Sequence, residues 1–478
     1  MFSRCALSVT IAVFSVQIVS AVNNSSTGPK QVDEHEDTPA RTPNVIVIFC
    51  DDLGYGDLGC YGSQKHRTPH LDAAAASGMK FTSFYSAAPV CTPSRAALLT
   101  GCYPRRVNLD IGWDFLVLRP GDPKGLNPDE FTIAELLRAR GYITACIGKW
   151  HLGDQLEFLP TRQGFDSYFG IPYSNDQGTR PGKDWPALPL MRNDQVIEAP
   201  AVQDSLTRRY TEAAIEFLQD NRDRPFFLYL PHSFPHDPLH ASARFRGKSD
   251  NGIYGDAVEE IDWSTGEILK ELEKLGLDRQ TLVVFTSDNG AAHNYGGSNL
   301  PLRGHKASTW EGGMRVPCIM RWPGTIPAGT TCDELVTTMD LLPTFATLAG
   351  AKVPTERAID GKDIGSLIRG QADATSPDDC FYYYRARDLK AIRAGKWKLH
   401  VSTAGDSEPF TPVALYDLSA DISETNDLAA AHPEIAERLL AQAELARTDL
   451  GHGNTPGLEQ RPAGLVEHPT VRLANGRH

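Results

Sequence analysis

Four apolar runs, rich in β-branched and aromatic residues, recur along the first two thirds of the chain. They are Val45–Phe49, Tyr142–Ile147, Phe226–Leu230 and Leu282–Phe285. Each run is nearly continuous rather than alternating, as expected of strands that are buried on both faces. The pattern therefore predicts the strands of a large, mostly parallel central sheet.

Segments with helical patterns lie between these runs. Thr132 and Glu135 form a capping-box pair that predicts the start of a helix, and Gly141 predicts its end. Ser205–Asn221 and Asp256–Leu275 have the apolar spacing of amphipathic helices. Strands that alternate with helices indicate an α/β sandwich, in which helices flank the sheet.

The pattern changes after about residue 376. Short strands are predicted over Phe381–Arg385, Leu389–Val401 and Val413–Leu418, and a helix over Pro433–Leu450. The chain has 478 residues, whereas single hydrophobic cores stop growing near about 250–300 residues. We therefore expect a large domain over residues 43–375. A small C-terminal subdomain, an antiparallel sheet packed with one helix, is expected over residues 376–478.

The first 42 residues precede the predicted core. Residues 1–21 have a basic start, an apolar run and a small-residue ending at Ala21, which is typical of a secretory signal peptide. That run is too short and too polar for a membrane span, so we expect no membrane association after cleavage. Residues 22–42 are polar and predict a flexible lead-in.

The only glycosylation sequons of the chain begin at Asn23 and Asn24, inside this lead-in. A lysosomal enzyme would carry glycans on its folded surface. We therefore expect a secreted or periplasmic protein rather than a lysosomal one.

The chain is acidic, with a formal net charge of −13. An acidic surface does not suit a nucleic-acid partner, and it gives no general attraction to sulfated or phosphorylated polymers. Any anion must therefore be bound by a local basic pocket. The cysteines are scattered without a CxxC pair, so neither a zinc site nor a dense disulfide framework is predicted.

Polar, reactive residues follow all four predicted strands. They are Asp51 and Asp52 after the first, Lys149 and His151 after the second, His232 and His236 after the third, and Asp288 and Asn289 after the fourth. Ligands of open α/β sheets bind beyond the carboxyl ends of the strands, so these side chains should meet. Alone, Asp51–Asp52 is also typical of a turn or a helix cap and Asp288–Asn289 of a turn, and each histidine after the third strand is typical of a hydrogen-bonded residue under the sheet. Together, three carboxylates and an amide oxygen form the set that Ca²⁺ or Mg²⁺ prefers.

The segment CTPSR, from Cys91 to Arg95, is the sharpest signal in the sequence. Pro93 suits the first turn of a helix and Gly101 its end, so Cys91 is predicted at a helix N-terminus. Arg95, four residues later, returns to the same face. A lone cysteine in this position is usually a buried structural thiol. CTPSR nevertheless resembles the signature of the type I sulfatases, in which a formylglycine-generating enzyme oxidises the cysteine to formylglycine.

The resemblance extends along the large domain in family order. The matching motifs are DDLGYGDLGCYG from Asp51, GYITACIGKWHLG from Gly141, GIPYSNDQG from Gly170, SDNGA from Ser287 and KASTWEGG from Lys306, most similar to the arylsulfatase A type. The C-terminal segment LYDLSADISETNDLAAAHPE resembles bacterial arylsulfatases. The family implies an alkaline phosphatase-like fold and hydrolysis of a sulfuric ester. Residues 179–193 form a shorter segment than in animal arylsulfatase A, so the substrate and the oligomeric state stay open.

The resemblance also implies a metal site and a nucleophile. One Ca²⁺, or alternatively Mg²⁺, would be held by Asp51, Asp52, Asp288, Asn289 and the oxygen of residue 91. One hydroxyl of the hydrated aldehyde would attack sulfur while Asp288 accepts its proton. Loss of a proton from the second hydroxyl would release sulfate, with His151 as the base. Arg95 and Lys149 would stabilise the negative charge.

Further residues are expected at the leaving group. By resemblance, His236 and Lys306 lie where the leaving alkoxide needs a proton or a positive partner. His232 is an alternative, but the His-x-Pro motif favours His236. Ser174 either hydrogen-bonds within the site or is a turn residue.

Two other functions compete with sulfate ester hydrolysis. A phosphomonoester or phosphonate hydrolase of the same fold would bind an ester of similar shape. The lack of a dense His/Asp set for two zinc ions, and the presence of CTPSR, favour sulfate. A secreted glycan-binding protein without turnover is the non-enzymatic alternative, but every catalytic role is filled in this sequence. The expected ligand is a sulfated small molecule or glycan.

Overall fold

The structure is a computed structural model that describes residues 42–473, so the predicted signal peptide and nearly all of the predicted lead-in lie outside it. The strands are β1 (Asn44–Cys50), β2 (Met79–Phe81), β3 (Phe84–Tyr85), β4 (Lys124–Gly125), β5 (Ile143–Ile147), β6 (Ser167–Gly170), β7 (Leu190–Arg192), β8 (Gln195–Glu198), β9 (Phe226–Pro231), β10 (Thr281–Ser287), β11 (Cys318–Arg321), β12 (Thr330–Cys332), β13 (Val336–Thr337), β14 (Phe381–Arg385), β15 (Asp388–Ala394), β16 (Trp397–Ser402), β17 (Thr411–Asp417), β18 (Gly451–His452), β19 (Thr455–Pro456) and β20 (Gly464–Leu465). The α-helices are α1 (Pro69–Ala76), α2 (Cys91–Thr100), α3 (Ile133–Ala139), α4 (Leu206–Asp220), α5 (Gly252–Lys274), α6 (Glu311–Met314), α7 (Leu341–Leu348), α8 (Gly365–Ile368) and α9 (Pro433–Leu450).

A ten-stranded sheet forms the centre of the fold, in the order β12-β2-β11-β10-β1-β9-β5-β6-β7-β8. The five strands from β10 to β6 are mutually parallel, and antiparallel strands join them on both sides. The four predicted strands are β1, β5, β9 and β10, at the centre of this sheet. The prediction of a mostly parallel central sheet is confirmed.

Both faces of the central strands are covered. Along β1, Val45, Val47 and Phe49 pack into one apolar core, whereas Ile46 and Ile48 pack into the other. Helices α2, α3 and α7 contribute to the first core, and helices α4 and α5 contribute to the second. The continuous apolar pattern therefore has the predicted cause, because each strand buries both sets of alternating side chains.

The predicted helices are present, with one shifted boundary. Thr132 and Glu135 form the expected reciprocal capping box at the start of α3. Helix α5 begins at Gly252 rather than at Asp256. The Asp256 carboxylate lies inside the first turns and accepts hydrogen bonds from the backbone N–H groups of residues 247–249 in the preceding loop, at 2.7–2.9 Å. Aspartate is common at the start of a helix, but Asp256 lies inside the helix and its carboxylate satisfies N–H groups of the loop before it.

The C-terminal residues form the predicted antiparallel sheet, in the order β14-β15-β16-β17. The predicted strand segment Leu389–Val401 is two strands, because Gly395 makes a turn with a left-handed φ of +55°. Helix α9 packs on this sheet through Leu439 and Ala443. Within residues 42–473, no helix combines the length and the apolar composition that crossing a bilayer requires.

Candidate active site

The register of the central strands brings the predicted site residues to one edge of the sheet. Cys50 is level with Ser287 on β10, and Phe49 is level with Pro231 on β9. The residues that follow these strands therefore leave the sheet side by side. The Asp288 backbone N–H donates to the Cys50 carbonyl at 3.0 Å, which keeps the two strand ends together.

Cys91 is the first residue of α2, after the extended residue Val90, and Gly101 ends the helix with a φ of +66°. The Cys91 side chain is buried, and the residue as a whole is only 2% exposed. Burial raises the pKa of the Cys91 thiol to about 11, although Lys149 and Lys306 act to lower it. An unmodified Cys91 would therefore be a neutral thiol at pH 7, which is a poor nucleophile.

Four oxygen-bearing side chains form a buried cluster, two of them close to Cys91. They are Asp51, Asp52, Asp288 and Asn289, none more than 1% exposed. Potential ligand atoms of Asp51, Cys91 and Asp288 lie within 4.8 Å of one another. Asp51 Oδ1 and Asn289 Oδ1 are buried without a hydrogen-bond donor among the described residues. Because buried oxygens need a partner, this set fits a hard divalent cation.

Three basic side chains accompany these carboxylates. The Arg95 guanidinium donates to Asp288 Oδ2 at 2.8 Å, and Lys306 Nζ donates to Asp52 Oδ2 at 2.8 Å. Lys149 Nζ donates to the Asp51 carboxylate. With all three carboxylates ionised, the three positive and three negative groups cancel. A bound divalent cation would then make the site positive, which supplies the local anion-binding pocket that the acidic chain requires.

The neighbouring carboxylates of Asp51 and Asp288 differ in acidity. Burial disfavours the charged form of Asp51, but Lys149, His236 and Arg95 together hold its pKa well below the usual aspartate range. Burial and the nearby Asp51 charge raise the pKa of Asp288 to about 8, although Arg95 opposes the shift. Asp51 is thus the stronger acid of the pair and Asp288 the stronger base.

His151 presents one unpartnered ring nitrogen. Its Nε2 donates to the Leu118 carbonyl at 3.0 Å, so Nδ1 keeps its lone pair, and Nδ1 has no partner among residues 42–473. Burial, together with the positive charge of Lys149, holds the pKa of His151 well below its usual value. The backbone there has a left-handed φ of +60°, which is uncommon for a non-glycine residue. His151 is therefore a neutral, locally strained base.

The two candidate histidines after β9 have different environments. His236 lines the cavity into which Cys91 faces, and its Nε2 lies 3.8 Å from Asp52 Oδ2. Both ring nitrogens of His232 are buried without a hydrogen-bond partner in the described part of the chain. Burial lowers the pKa of His232 to about 4. His232 packs near Tyr210, with ring centroids 6.5 Å apart, and does not line the cavity.

This cavity has a volume of about 520 Å³ and opens the site to the surface. Its floor and walls include Cys91, His151, Ser174, His236 and Lys306. Ser174 belongs to the site geometrically, because Lys149 Nζ donates to its Oγ at 3.0 Å.

The cavity rim contains residues that sequence reasoning did not identify. They are Phe115, Arg119, Gln177, Arg180, Lys183, Trp185, His293 and Tyr295. Most lie in irregular loops, where no apolar period marks them. Gln177 had a signal, because it lies near the end of the GIPYSNDQG motif. Its side chain donates to the Leu118 carbonyl at 2.9 Å and accepts from the Ser174 backbone N–H at 3.2 Å.

Comparison with known protein families agrees with this geometry. The family model described as Sulfatase matches residues 43–351. The chain belongs to the sulfatase family. A second family model, described as the C-terminal region of N-sulphoglucosamine sulphohydrolase, matches residues 305–448 of this sulfatase.

Curated relatives have sulfatase activities in their names. Human arylsulfatase A is 40% identical to this sulfatase, over 91% of this chain and 93% of its own. Mouse N-acetylgalactosamine-6-sulfatase is 42% identical, over 78% of this chain and 74% of its own. The crystal structure of Ps i-CgsB in complex with k-i-k-neocarrahexaose matches with a TM-score of 0.73 and 32% identity, covering 85% of this chain and 92% of that one. This sulfatase is therefore a sulfuric ester hydrolase with the alkaline phosphatase-like fold.

Proposed function

We propose that this sulfatase uses a formylglycine made from Cys91 and one Ca²⁺ to hydrolyse sulfate esters of sugars or related alcohols. The ion would be held by Asp51, Asp52, Asp288, Asn289 and the oxygen of residue 91. The observation that carries the proposal is the buried oxygen cluster beside Cys91, with two oxygens lacking donors among the described residues. Oxygen ligands of this kind favour Ca²⁺ or Mg²⁺ over zinc.

Bound calcium would offset negative charge on sulfate oxygens, and hydrated formylglycine would supply two hydroxyls on one carbon, one for attack on sulfur and one for sulfate release. Asp288 accepts a proton at its carboxylate. Arg95 fixes that carboxylate through a 2.8 Å hydrogen bond. Lys149, positioned by Asp51 and Ser174, contributes positive charge beside residue 91.

Lys306 and His236 serve the leaving oxygen. A lysine ammonium has three N–H donors. Lys306 uses one of them for its hydrogen bond to Asp52, so two remain for groups in the cavity. His236 lines the same cavity, also lies near Asp52 Oδ2, and is able to donate a proton to the departing alkoxide. Neutralising the charge on this oxygen matters most for sugar and alkyl sulfates, whose alkoxides are strongly basic.

His151 acts as the base for sulfate release. Its Nε2 is held as a donor by the Leu118 carbonyl, which leaves Nδ1 as the acceptor. A lowered pKa keeps the ring neutral at physiological pH, so the acceptor is available in every molecule.

The rim of the cavity suits a sulfated sugar. Trp185 and Phe115 provide aromatic surfaces, and the guanidinium of Arg119 lies 4.2 Å from the centre of the Phe115 ring. Arg180 and Lys183 each lie 5.3 Å from the centre of the Trp185 ring. Aromatic rings pack on the apolar faces of sugars, and exposed cations attract further anionic groups. We propose a sulfated glycan substrate encountered outside the cytoplasm, by a secreted or periplasmic enzyme.

Steady-state hydrolysis tests the proposal. The wild-type enzyme should cleave 4-nitrophenyl sulfate much faster than 4-nitrophenyl phosphate, and Cys91→Ala should abolish sulfate cleavage while the protein stays folded. A phosphate rate equal to or above the sulfate rate would favour the phosphoester alternative. Fractionation of the native host should find the activity in the periplasm or medium, and cytosolic activity with residues 1–21 attached would contradict export.

A further inference from the structure

The loop that carries Lys306 is held by the C-terminal sheet. The Ala307 carbonyl accepts a hydrogen bond from Arg385 Nε at 2.8 Å, and Arg385 is the last residue of β14. The Thr309 carbonyl accepts one from Lys398 Nζ, on β16, at 2.9 Å. Ala307 has a φ of +64°, a conformation that alanine rarely adopts without outside support. The shape of this loop is therefore imposed by its neighbours.

A cluster of buried charges secures the next residues. Lys398 Nζ lies 2.9 Å from Glu311 Oε1 and 2.8 Å from Glu424 Oε1, and all three side chains are 0% exposed. Glu424 also accepts the backbone N–H of Glu311 at 2.8 Å. Each member is paired, so displacing one would leave an uncompensated buried charge, which is strongly unfavourable. The cluster fixes the start of α6 against the C-terminal sheet.

Trp310, which lies between Thr309 and Glu311 in the sequence, also packs against neighbouring side chains. The centre of its ring lies 3.7 Å from the Arg303 guanidinium carbon and 4.1 Å from the centre of the His400 ring. His400 in turn contacts Glu424, with Nε2 3.0 Å from Oε1. Attachments to the C-terminal sheet thus reach several residues immediately after Lys306.

The loop is also attached on the catalytic side. The Lys306 and Ala307 backbone N–H groups donate to the Ala291 and Pro89 carbonyls at 3.1 and 2.8 Å, and Lys306 Nζ donates to Asp52 Oδ2 at 2.8 Å. The ammonium therefore reaches the site along a flexible side chain from a backbone that is held on one side by Ala291 and Pro89 and on the other by the C-terminal sheet. A displacement of about 1 Å at such a group is enough to slow a reaction substantially.

We propose that Arg385 and Lys398 are positioning residues for Lys306, so that the C-terminal sheet sets how well the enzyme stabilises a departing alkoxide. The inference rests on the proposed role of Lys306 at the leaving group. It assigns a catalytic purpose to the buried charges of Lys398, Glu311 and Glu424, which otherwise lie outside the chemistry. Its signature is a selective loss of rate on esters with poor leaving groups.

The test compares Arg385→Gln and Lys398→Met with a matched control, Arg387→Gln. Arg387 lies in the turn between β14 and β15, and its side chain bonds to Asn454 at 2.9 Å. Each enzyme is assayed on 4-nitrophenyl sulfate, a good leaving group, and on a sugar sulfate. Both test variants should lose about ten-fold in kcat on the sugar ester and less than about two-fold on the nitrophenyl ester, because only the former needs the positioned cation. The control should match the wild type on both.

A double-mutant cycle with Lys306→Ala separates positioning from general damage. In the Lys306→Ala background, Arg385→Gln should cause no further loss on the sugar ester. Equal losses on both esters, or a full additional loss without Lys306, would overturn the proposal. If Lys398→Met does not fold, Arg385→Gln decides alone, because it removes one hydrogen bond from an exposed residue. A wild type without sulfatase activity would instead refute the proposed function.

Discussion

Replacing Lys149 by Met should expose how much the buried ion pair with Asp51 contributes to this site. Both side chains are 0% exposed, so water cannot replace the ammonium when it is removed. The ion pair that remains to the Asp51 carboxylate is with the Arg95 guanidinium, whose Nη2 lies 3.6 Å from Asp51 Oδ1, while His236 and Lys306 act from farther away. The perturbation therefore leaves a buried charge only partly compensated.

The size of the effect follows from this geometry. Removing one partner of a buried pair costs about 3–5 kcal/mol, and the remaining contact with Arg95 points to the lower end of that range. We expect the free energy of unfolding of the chelator-treated protein to fall by about 3 kcal/mol. The ion pair between Lys274 and Glu271 serves as an exposed comparison, because the Lys274 side chain is 65% exposed. Lys274→Met should lower the free energy of unfolding by at most about 1 kcal/mol.

Denaturant unfolding measures these values for the wild type, for the single variants Lys149→Met, Asp51→Asn and Lys274→Met, and for the double variant Asp51→Asn/Lys149→Met. The double variant should be less destabilised than the sum of its single changes, because it leaves no unpaired charge. Since the pKa of folded Asp51 is lowered, its contribution is present above the usual aspartate pKa and is lost as the pH falls through the folded value. Lys149→Met removes much of this contribution, so its free energy of unfolding should fall less than that of the wild type as the pH is lowered. Additive losses, or a cost no larger than that of Lys274→Met, would refute the reasoning.

Three further variants test the assigned roles. Cys91→Ser should fold normally but lose multiple turnover, because serine offers one hydroxyl and cannot release sulfate by losing a second proton; near-normal turnover would contradict the formylglycine mechanism. Asp288→Ala should lose bound calcium, measured by metal analysis, since a buried oxygen ligand is removed; stoichiometric zinc in the active wild type would contradict the ion assignment. His151→Ala should give a rapid burst of alcohol equal to the enzyme concentration and then a slow steady state, because sulfate release loses its base. A slow first turnover without a burst would assign His151 to the leaving group instead.

The central strands and their reactive ends could be predicted from the sequence because both follow from local pattern. A run such as Val45–Phe49 is apolar at every position, and a parallel sheet brings the residues after such runs to one edge. The cluster of Asp51, Asp52, Asp288 and Asn289 was predictable for this reason, although its two pairs lie far apart in the chain.

Other features depend on contacts that no local pattern records. Lys398 lies in a β-strand, where a lysine normally faces solvent, and it is buried only because Glu311 and Glu424 arrive from distant parts of the chain. Asp256 resembles a helix cap but satisfies the N–H groups of a loop. The cavity rim is formed by irregular loops, such as the one that carries Trp185, whose paths are set by tertiary packing.

The chemical state of residue 91 tests the central claim most directly. Trypsin releases the peptide Phe81–Arg95, and its mass distinguishes a cysteine thiol from the lighter product in which the thiol carbon has become an aldehyde. Active enzyme purified from its native host should contain the aldehyde at residue 91, in proportion to its specific activity. A preparation that turns over sulfate esters at full rate with an intact Cys91 thiol would contradict the formylglycine mechanism.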